Sequence, residues 1–280
     1  AVLHKGRHIA TVATSETDEQ QLTDMMVGER ISLNIERSVP KNSVDRIVVS
    51  GLNAVNSDGI KVLDDVSFTA KSGEILGIAG IAGSGQRELL EAIAGLQPLK
   101  GGAIEYIDPQ SNERVDLRSK SPIQIRDLGV RLSFVPEDRL GMGLVGNMDI
   151  TDNMMLKTYS DNKGPFVDRK SAREQANQII GELGIVTPST ETPVRRLSGG
   201  NVQKVLVGRE ILSRPNVLIT AYPVRGLDIN SSYMIYNILN SEKESGAGIL
   251  FIGEDLDVML ALCDKIMVLC HGKNMGIVHA

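Results

Sequence analysis

Two kinds of apolar pattern follow one another along the chain from residue 44 onward. Residues 46–52 and 61–70 alternate apolar and polar positions, the period of a strand with one buried face, and predict antiparallel strands. Residues 74–80, 131–135, 216–220, 249–252 and 265–269 are apolar without alternation, which predicts parallel strands covered on both faces. Helical spacing fills the gaps at 87–94, 170–183, 202–212 and 231–244; in the first of these Leu89, Leu90 and Ile93 share a face and Gly95 is the stop. Strands alternating with helices predict an α/β fold with a parallel core sheet, an antiparallel β-subdomain on its N-terminal side and a helical insertion. Upstream, TSETDEQQLTDMMVGER (14–30) predicts a capped amphipathic helix, and NIERSVPKNSVD (34–45) a polar connector broken at Pro40.

A repeat bears on the organisation. VLHKGRHIATV (2–12) and VLCHGKNMGIVHA (268–280) share Val-Leu, two residues, Gly, a basic residue and a short apolar strand. Both predict a β-hairpin, and their separation predicts one period of a tandem: the tail of a preceding domain at 1–30, a linker at 31–43 and a domain at 44–280 with its helical subdomain at about 138–198. A chance match between two hairpins is the competing reading. With 280 residues, 41% of them hydrophobic, the chain can bury a sizeable core. Its net charge of −5 and lack of any basic cluster argue against a nucleic-acid partner. Cys263 and Cys270 read as reduced core thiols and no metal site is expected. The opening residues lack a signal-peptide build and the longest apolar runs are too short for a membrane span, so the chain reads as cytosolic or facing the cytosol.

The chemistry begins at GIAGSG (80–85), which follows a predicted strand and opens a predicted helix. Backbone N–H groups of such a loop converge with a helix N-terminus on an anion. A tight glycine turn for strand–helix packing explains the same residues equally well. In a phosphate loop, however, the next two residues should be Lys and Ser or Thr, and here they are Gln86 and Arg87. A second motif follows at RRLSGGNVQKVLVGREILSRPNVLITAYPVRGLD (195–228): Ser-Gly-Gly, an amphipathic helix, an apolar strand, then Pro and a turn ending in Asp.

In this order the motifs resemble the nucleotide-binding domain of ABC transporters: GIAGSGQR stands at the Walker A place, LSGGNVQ at the signature, NVLITAYP at Walker B, RGLD at the D-loop and ILFIGED at the switch strand. With FVPEDRLGMGLVGNMDITDNMML (134–156), residues 44–280 resemble the second ATPase domain of the fused two-domain subunits of bacterial simple-sugar and nucleoside importers, and residues 2–30 the end of the first. The resemblance implies a P-loop fold, ATP as ligand, a preceding ATPase domain in the same polypeptide and membrane permease subunits as partners, and a place on the cytoplasmic face of the inner or plasma membrane.

Carried over position by position, the resemblance implies a weak nucleotide site at Gly80, Gly83, Ser84, Gly85, Gln86 and Arg87, with Glu137 at the Q-loop place. Gln86 lacks the charge that grips phosphate, and Arg87 brings a cation where a Mg²⁺ ligand belongs. Ala221 and Tyr222 stand where Asp-Glu should hold metal and polarise water, and Glu254 stands at the switch His. No aromatic near 58–62 offers itself for stacking on adenine. Ser198, Gly199, Gly200, Gln203 and Asp228, which act across the domain dimer, are intact. The pattern implies a domain that is hydrolytically inactive or nearly so by itself and completes the Mg-ATP site of its partner. A soluble regulatory or assembly module without transport, and a self-sufficient ATPase using Arg87, are the alternatives.

Overall fold

The computed structural model describes residues 1–4, 6–27, 35–134, 140, 143–156, 159, 167–211 and 214–280. It divides into two compact units, Ala1–Glu36 and Arg37–Ala280. In the first, β1 (Val2–His4) and β2 (Arg7–Ala10) form an antiparallel hairpin, followed by α1 (Glu19–Val27). The helix expected over 14–30 is shorter. Residues Thr14–Glu16 make a 3₁₀ turn, Thr17 is extended at φ −138°, and Asp18 accepts the Gln21 N–H at 2.7 Å as the start of α1. An Asx cap at Asp18 outcompetes the helical spacing read further upstream.

In the second unit β3 (Asp45–Val55), β4 (Lys61–Lys71), β5 (Ile75–Ala79), α2 (Gln86–Ile93), β6 (Leu99–Ile107), β7 (Arg114–Asp116), α3 (Pro122–Asp127) and β8 (Val130–Phe134) come first. They are followed by α4 (Ile150–Met155), α5 (Arg169–Glu182), α6 (Gly199–Ile211), β9 (Val217–Ala221), α7 (Ile229–Glu244), β10 (Gly248–Ile252), α8 (Leu256–Leu262), β11 (Lys265–Cys270) and β12 (Lys273–His279). One sheet has the order β12-β11-β5-β10-β9-β8, parallel except for β12, and the other is antiparallel in the order β4-β3-β6-β7. All five residues of β9 and of β10 are buried, as two-sided strands must be. The two sheets and α2 share one core, in which Ile47, Phe68, Ile78, Leu89, Ile104, Ile219 and Met267 meet.

The α/β architecture and its strand types therefore match the apolar patterns. The strands β6 and β7 and the short helices α3, α4 and α8 carried too little periodic signal to be read. The helix expected from 202 starts at Gly199, because Ser198 turns the chain into it: the Ser198 carbonyl accepts from Val202 at 2.9 Å and its hydroxyl from the Asn201 N–H at 3.4 Å. Cys263 is buried and its thiol is pushed up to about 12, by burial first and the adjacent Asp264 second; Cys270 is only half-buried, a correction to its reading as a core thiol.

The repeated hairpin has the same pairing in both copies. Val2 faces Ala10, Leu3 faces His8 and His4 faces Arg7; Val268 faces Gly276, Leu269 faces Asn274 and Cys270 faces Lys273. Each register slips directly after its Val, so the two bulges fall at the same place as well.

Two polar devices fix the starts of β5 and α7. The Lys243 ammonium, 1% exposed, donates to Asp264 at 2.7 Å and to the Ser38 carbonyl at 2.5 Å, while Asp264 accepts the Ile75 N–H at 2.8 Å and so anchors the start of β5. Asp228 caps α7: its carboxylate accepts the Ser231 N–H at 2.9 Å and the Ser231 hydroxyl at 2.7 Å. Burial, the largest single influence on Asp228, pushes its pKa up. The two Ser231 bonds and the Lys204 charge outweigh it and hold the carboxyl below the usual value.

Lys243→Met should lower stability in chemical denaturation by about 3–5 kcal/mol, since it leaves a buried carboxylate without its cation, and adding Asp264→Asn should recover much of the loss. Asp228→Ala should cost about 1 kcal/mol at neutral pH. Because the folded pKa is depressed, that contribution is complete above about pH 4 and is lost as pH falls through the folded value, so parent and variant should converge in acid.

Candidate nucleotide site

Strands β5, β10 and β9 are adjacent and parallel, so the turns leaving them open at one edge of the sheet. The glycine loop follows β5, Tyr222 follows β9 and Glu254 follows β10. The structure thus brings together the residues read at the Walker A, Walker B and switch positions. Helix α6, which the signature opens, reaches this edge through Gln203, which donates to the Pro223 carbonyl at 2.7 Å, just past β9. Glu137 lies outside the described residues.

The loop itself keeps the sharp glycine backbone of the motif. Gly83 and Gly85 have φ of 80° and 96°, and a Cβ on Gly85 would stand 2.4 Å from the Val62 carbonyl, so that position admits only glycine. The loop is fastened by the hairpin turn between β11 and β12, where the Gly272 N–H donates to the Ser84 carbonyl at 3.0 Å. Gly85, the N-cap of α2, has no side chain of its own to cap that end, and a helix N-terminus of this kind suits an anion. Ser84, which the resemblance puts against phosphate, is itself buried.

The side chains tell a different story. Gln86 is 6% exposed and folds inward, its Nε2 donating to the Gly80 carbonyl at 2.6 Å. Arg87 turns along α2 to Glu91, one turn on, at 2.7 Å, and that hydrogen bond is the main reason its pKa is raised. Ala221 is fully buried and has no ligand atom. Tyr222 adopts φ 55°, a left-handed backbone that costs a non-glycine residue about 1 kcal/mol or more, and is held there by its N–H bond to the Ile252 carbonyl at 2.9 Å. Arg225 lies 5.5 Å over the Tyr222 ring and its Nε meets the Glu254 carboxylate at 2.9 Å. The backbone fits a phosphate, whereas Gln86, Arg87, Ala221 and Tyr222 offer no anionic oxygen and Glu254 is engaged by a cation, so these residues do not fit Mg²⁺.

The signature residues divide. Ser198 and the helix start are tied by Asn201, whose side chain donates to the Ser198 hydroxyl at 3.0 Å and accepts from the Val186 N–H at 3.1 Å. A Cβ on Gly200 would meet only Leu227, at 3.8 Å, so the backbone there approaches nothing closely. Gln203 is fully buried and its amide donates to the Pro223 carbonyl, while its Oε1 has no partner among the described residues. Asp228 spends its carboxylate on the α7 cap. Arg225 was missed; its only signal was a basic residue between Pro223 and Asp228, with a carboxylate replacing a His far along the chain. A cleft of about 1250 Å³ lined by Lys41, Arg214, Asn216, Glu242 and Ala247 lies at the opposite edge, where β9 and β10 begin, away from these motifs.

The family profile of the ABC transporter matches residues 63–223. The guanosine import ATP-binding protein of Bacillus subtilis is 31% identical over 99% of the chain and 54% of its own length. The xylose import ATP-binding protein of Moorella thermoacetica is 34% identical over 98% of the chain and 54% of its own length. The chain thus spans about half the length of the curated relatives it matches. Among solved structures, a nucleotide-free ATP-binding cassette from an ABC transporter aligns with a TM-score of 0.70 at 21% identity, covering 85% of this chain and 92% of that one. That last likeness bears on the fold, a P-loop ABC ATPase fold with the two sheets described above. The chain belongs to the ABC transporter family, as an ATP-binding domain related to the sugar and nucleoside import ATP-binding proteins.

Proposed function

We propose that this chain is the C-terminal ATPase domain of an importer subunit for a simple sugar or nucleoside, and that it serves mainly to complete the ATP site of a preceding domain in the same polypeptide. Residues 1–30 would be the tail of that domain, 31–43 the linker, and 44–280 the domain itself. The identical pairing of the two hairpins supports a tandem, as does the span of about half of each relative. The observation that carries the reading is the closed state of the chain's own chemistry: Gln86 is spent on Gly80, Arg87 on Glu91, and Glu254 on Arg225. In the composite site the first domain would supply Lys, the metal ligands, Glu and His, while Ser198, Gly199 and Gly200 would present the N-terminus of α6, the positive end of its dipole, to the γ-phosphate. Asp228 would face the same partner site. The helical region at about 138–198, with α4 and α5, would meet the permease. Among the described residues no helix is long and apolar enough to cross a membrane, which suits a subunit held at the cytoplasmic face by its permease.

The 280-residue chain should hydrolyse ATP no faster than background, because a missing base and a missing phosphate clamp each commonly cost roughly a hundredfold or more. Magnesium-dependent turnover that co-purifies with it would instead favour a self-sufficient ATPase. Nucleotide binding measured by calorimetry should be weak and nearly indifferent to Mg²⁺. In the full-length subunit Gly200→Asp should abolish hydrolysis without lowering the melting temperature appreciably, since the Cβ has room. Gln86→Lys with Arg87→Ser should leave hydrolysis unchanged, as Ala221 and Tyr222 remain. Normal hydrolysis by Gly200→Asp would overturn the trans role, and failure to capture a permease would favour the regulatory module.

A further inference from the structure

Two of the residues that stand in place of the catalytic set, Tyr222 and Glu254, are joined to each other and to the signature helix through one turn. On one side, residues 222–228 are bound to the end of the switch strand by the Tyr222 N–H to Ile252 carbonyl bond and by the Arg225–Glu254 ion pair. On the other, Pro223 receives Gln203 from inside α6, and Leu227 lies beneath Gly200 at the start of that helix. The turn is closed internally by Arg225 N–H to the Tyr222 carbonyl at 3.1 Å and Leu227 N–H to the Val224 carbonyl at 3.0 Å, with Gly226 at φ 71°. It ends in Asp228, the cap of α7. A left-handed tyrosine is not a backbone that persists without support. Here the support is the Ile252 carbonyl below and the guanidinium above its ring.

We infer that the turn 222–228 is a brace, with Arg225 its positioning residue, that ties Glu254 at the end of the switch strand to the N-terminus of the signature helix. The side chains at this edge then have a present use: they hold Ser198, Gly199 and Gly200 in place. Arg225 and Glu254 are 41% and 53% exposed, so the pair alone is weak and screened by salt. Its effect comes from acting on a turn that the buried Gln203 already couples to α6. Gln203 is fully buried and its bond to the Pro223 carbonyl, at 2.7 Å, joins α6 to this turn.

The consequence for hydrolysis rests on the proposed function; the consequence for α6 rests on the geometry alone. In the full-length subunit, Arg225→Ala and Glu254→Ala should each speed amide hydrogen exchange at residues 199–203, and the double variant should be no worse than either single. Arg225→Lys, which keeps the cation, should stay near the parent. ATP turnover should fall about three- to fivefold in each Ala variant with KM unchanged, the range that coupling through an exposed charge pair allows. Unchanged exchange at 199–203, or additive effects in the double variant, would overturn the brace. If exchange responds and turnover does not, the brace stands and the trans role fails, which Gly200→Asp reports separately.

Discussion

Three parallel strands with level ends, β5, β10 and β9, impose the constraint on which everything else here depends. Each strand is hydrogen-bonded on both sides to its neighbours and buried above and below, so its last residue cannot slide without breaking a ladder. The turns leaving them are therefore delivered to one edge whatever residues they carry. This is why the glycine loop, Tyr222 and Glu254 remain neighbours although none of the expected catalytic side chains is present. The scaffold conserves position, and the chemistry at each position is a separate matter.

What has replaced that chemistry is electrostatically self-contained. A phosphate site ordinarily gathers uncompensated cations and a metal against a polyanion. Here the cations are matched within the chain: Arg87 by Glu91 and Arg225 by Glu254. The loop N–H groups survive because the sharp backbone at Gly83 and Gly85 is also what joins β5 to α2, with Val62 and Leu63 pressed against Gly85. The tight-turn reading of the glycines and the phosphate-loop reading thus describe one backbone.

Much of the fold was legible because two-sided strands leave an unmistakable apolar run; β9 and β10 were read nearly to the residue. The glycine loop and the signature were legible through residue identity. Less was visible where the deciding contact is distant. Nothing in the spacing of α6 says that Gln203 faces inward to Pro223, since a glutamine on a helix is usually solvated. Arg225 and Glu254 become partners only because β9 and β10 are adjacent. The start of α1 was misplaced for the opposite reason, a local cap at Asp18 that overrides a longer pattern.

The fastening of the glycine loop has a consequence for the order in which the chain acquires its shape. The strand β5 ends at Ala79, yet both its neighbours, β10 and β11, begin at Gly248 and Lys265, and the turn that grips Ser84 contains Gly272. During synthesis an apolar strand must therefore wait, unpaired, until nearly the whole domain has been made. The antiparallel sheet of β3, β4 and β6 is assembled from near neighbours and can shelter one face of that strand in the meantime. In this chain the glycine loop thus lacks its Ser84 anchor until the last hairpin forms, and a ribosome stalled short of β10 exposes an apolar strand on which other chains can pair.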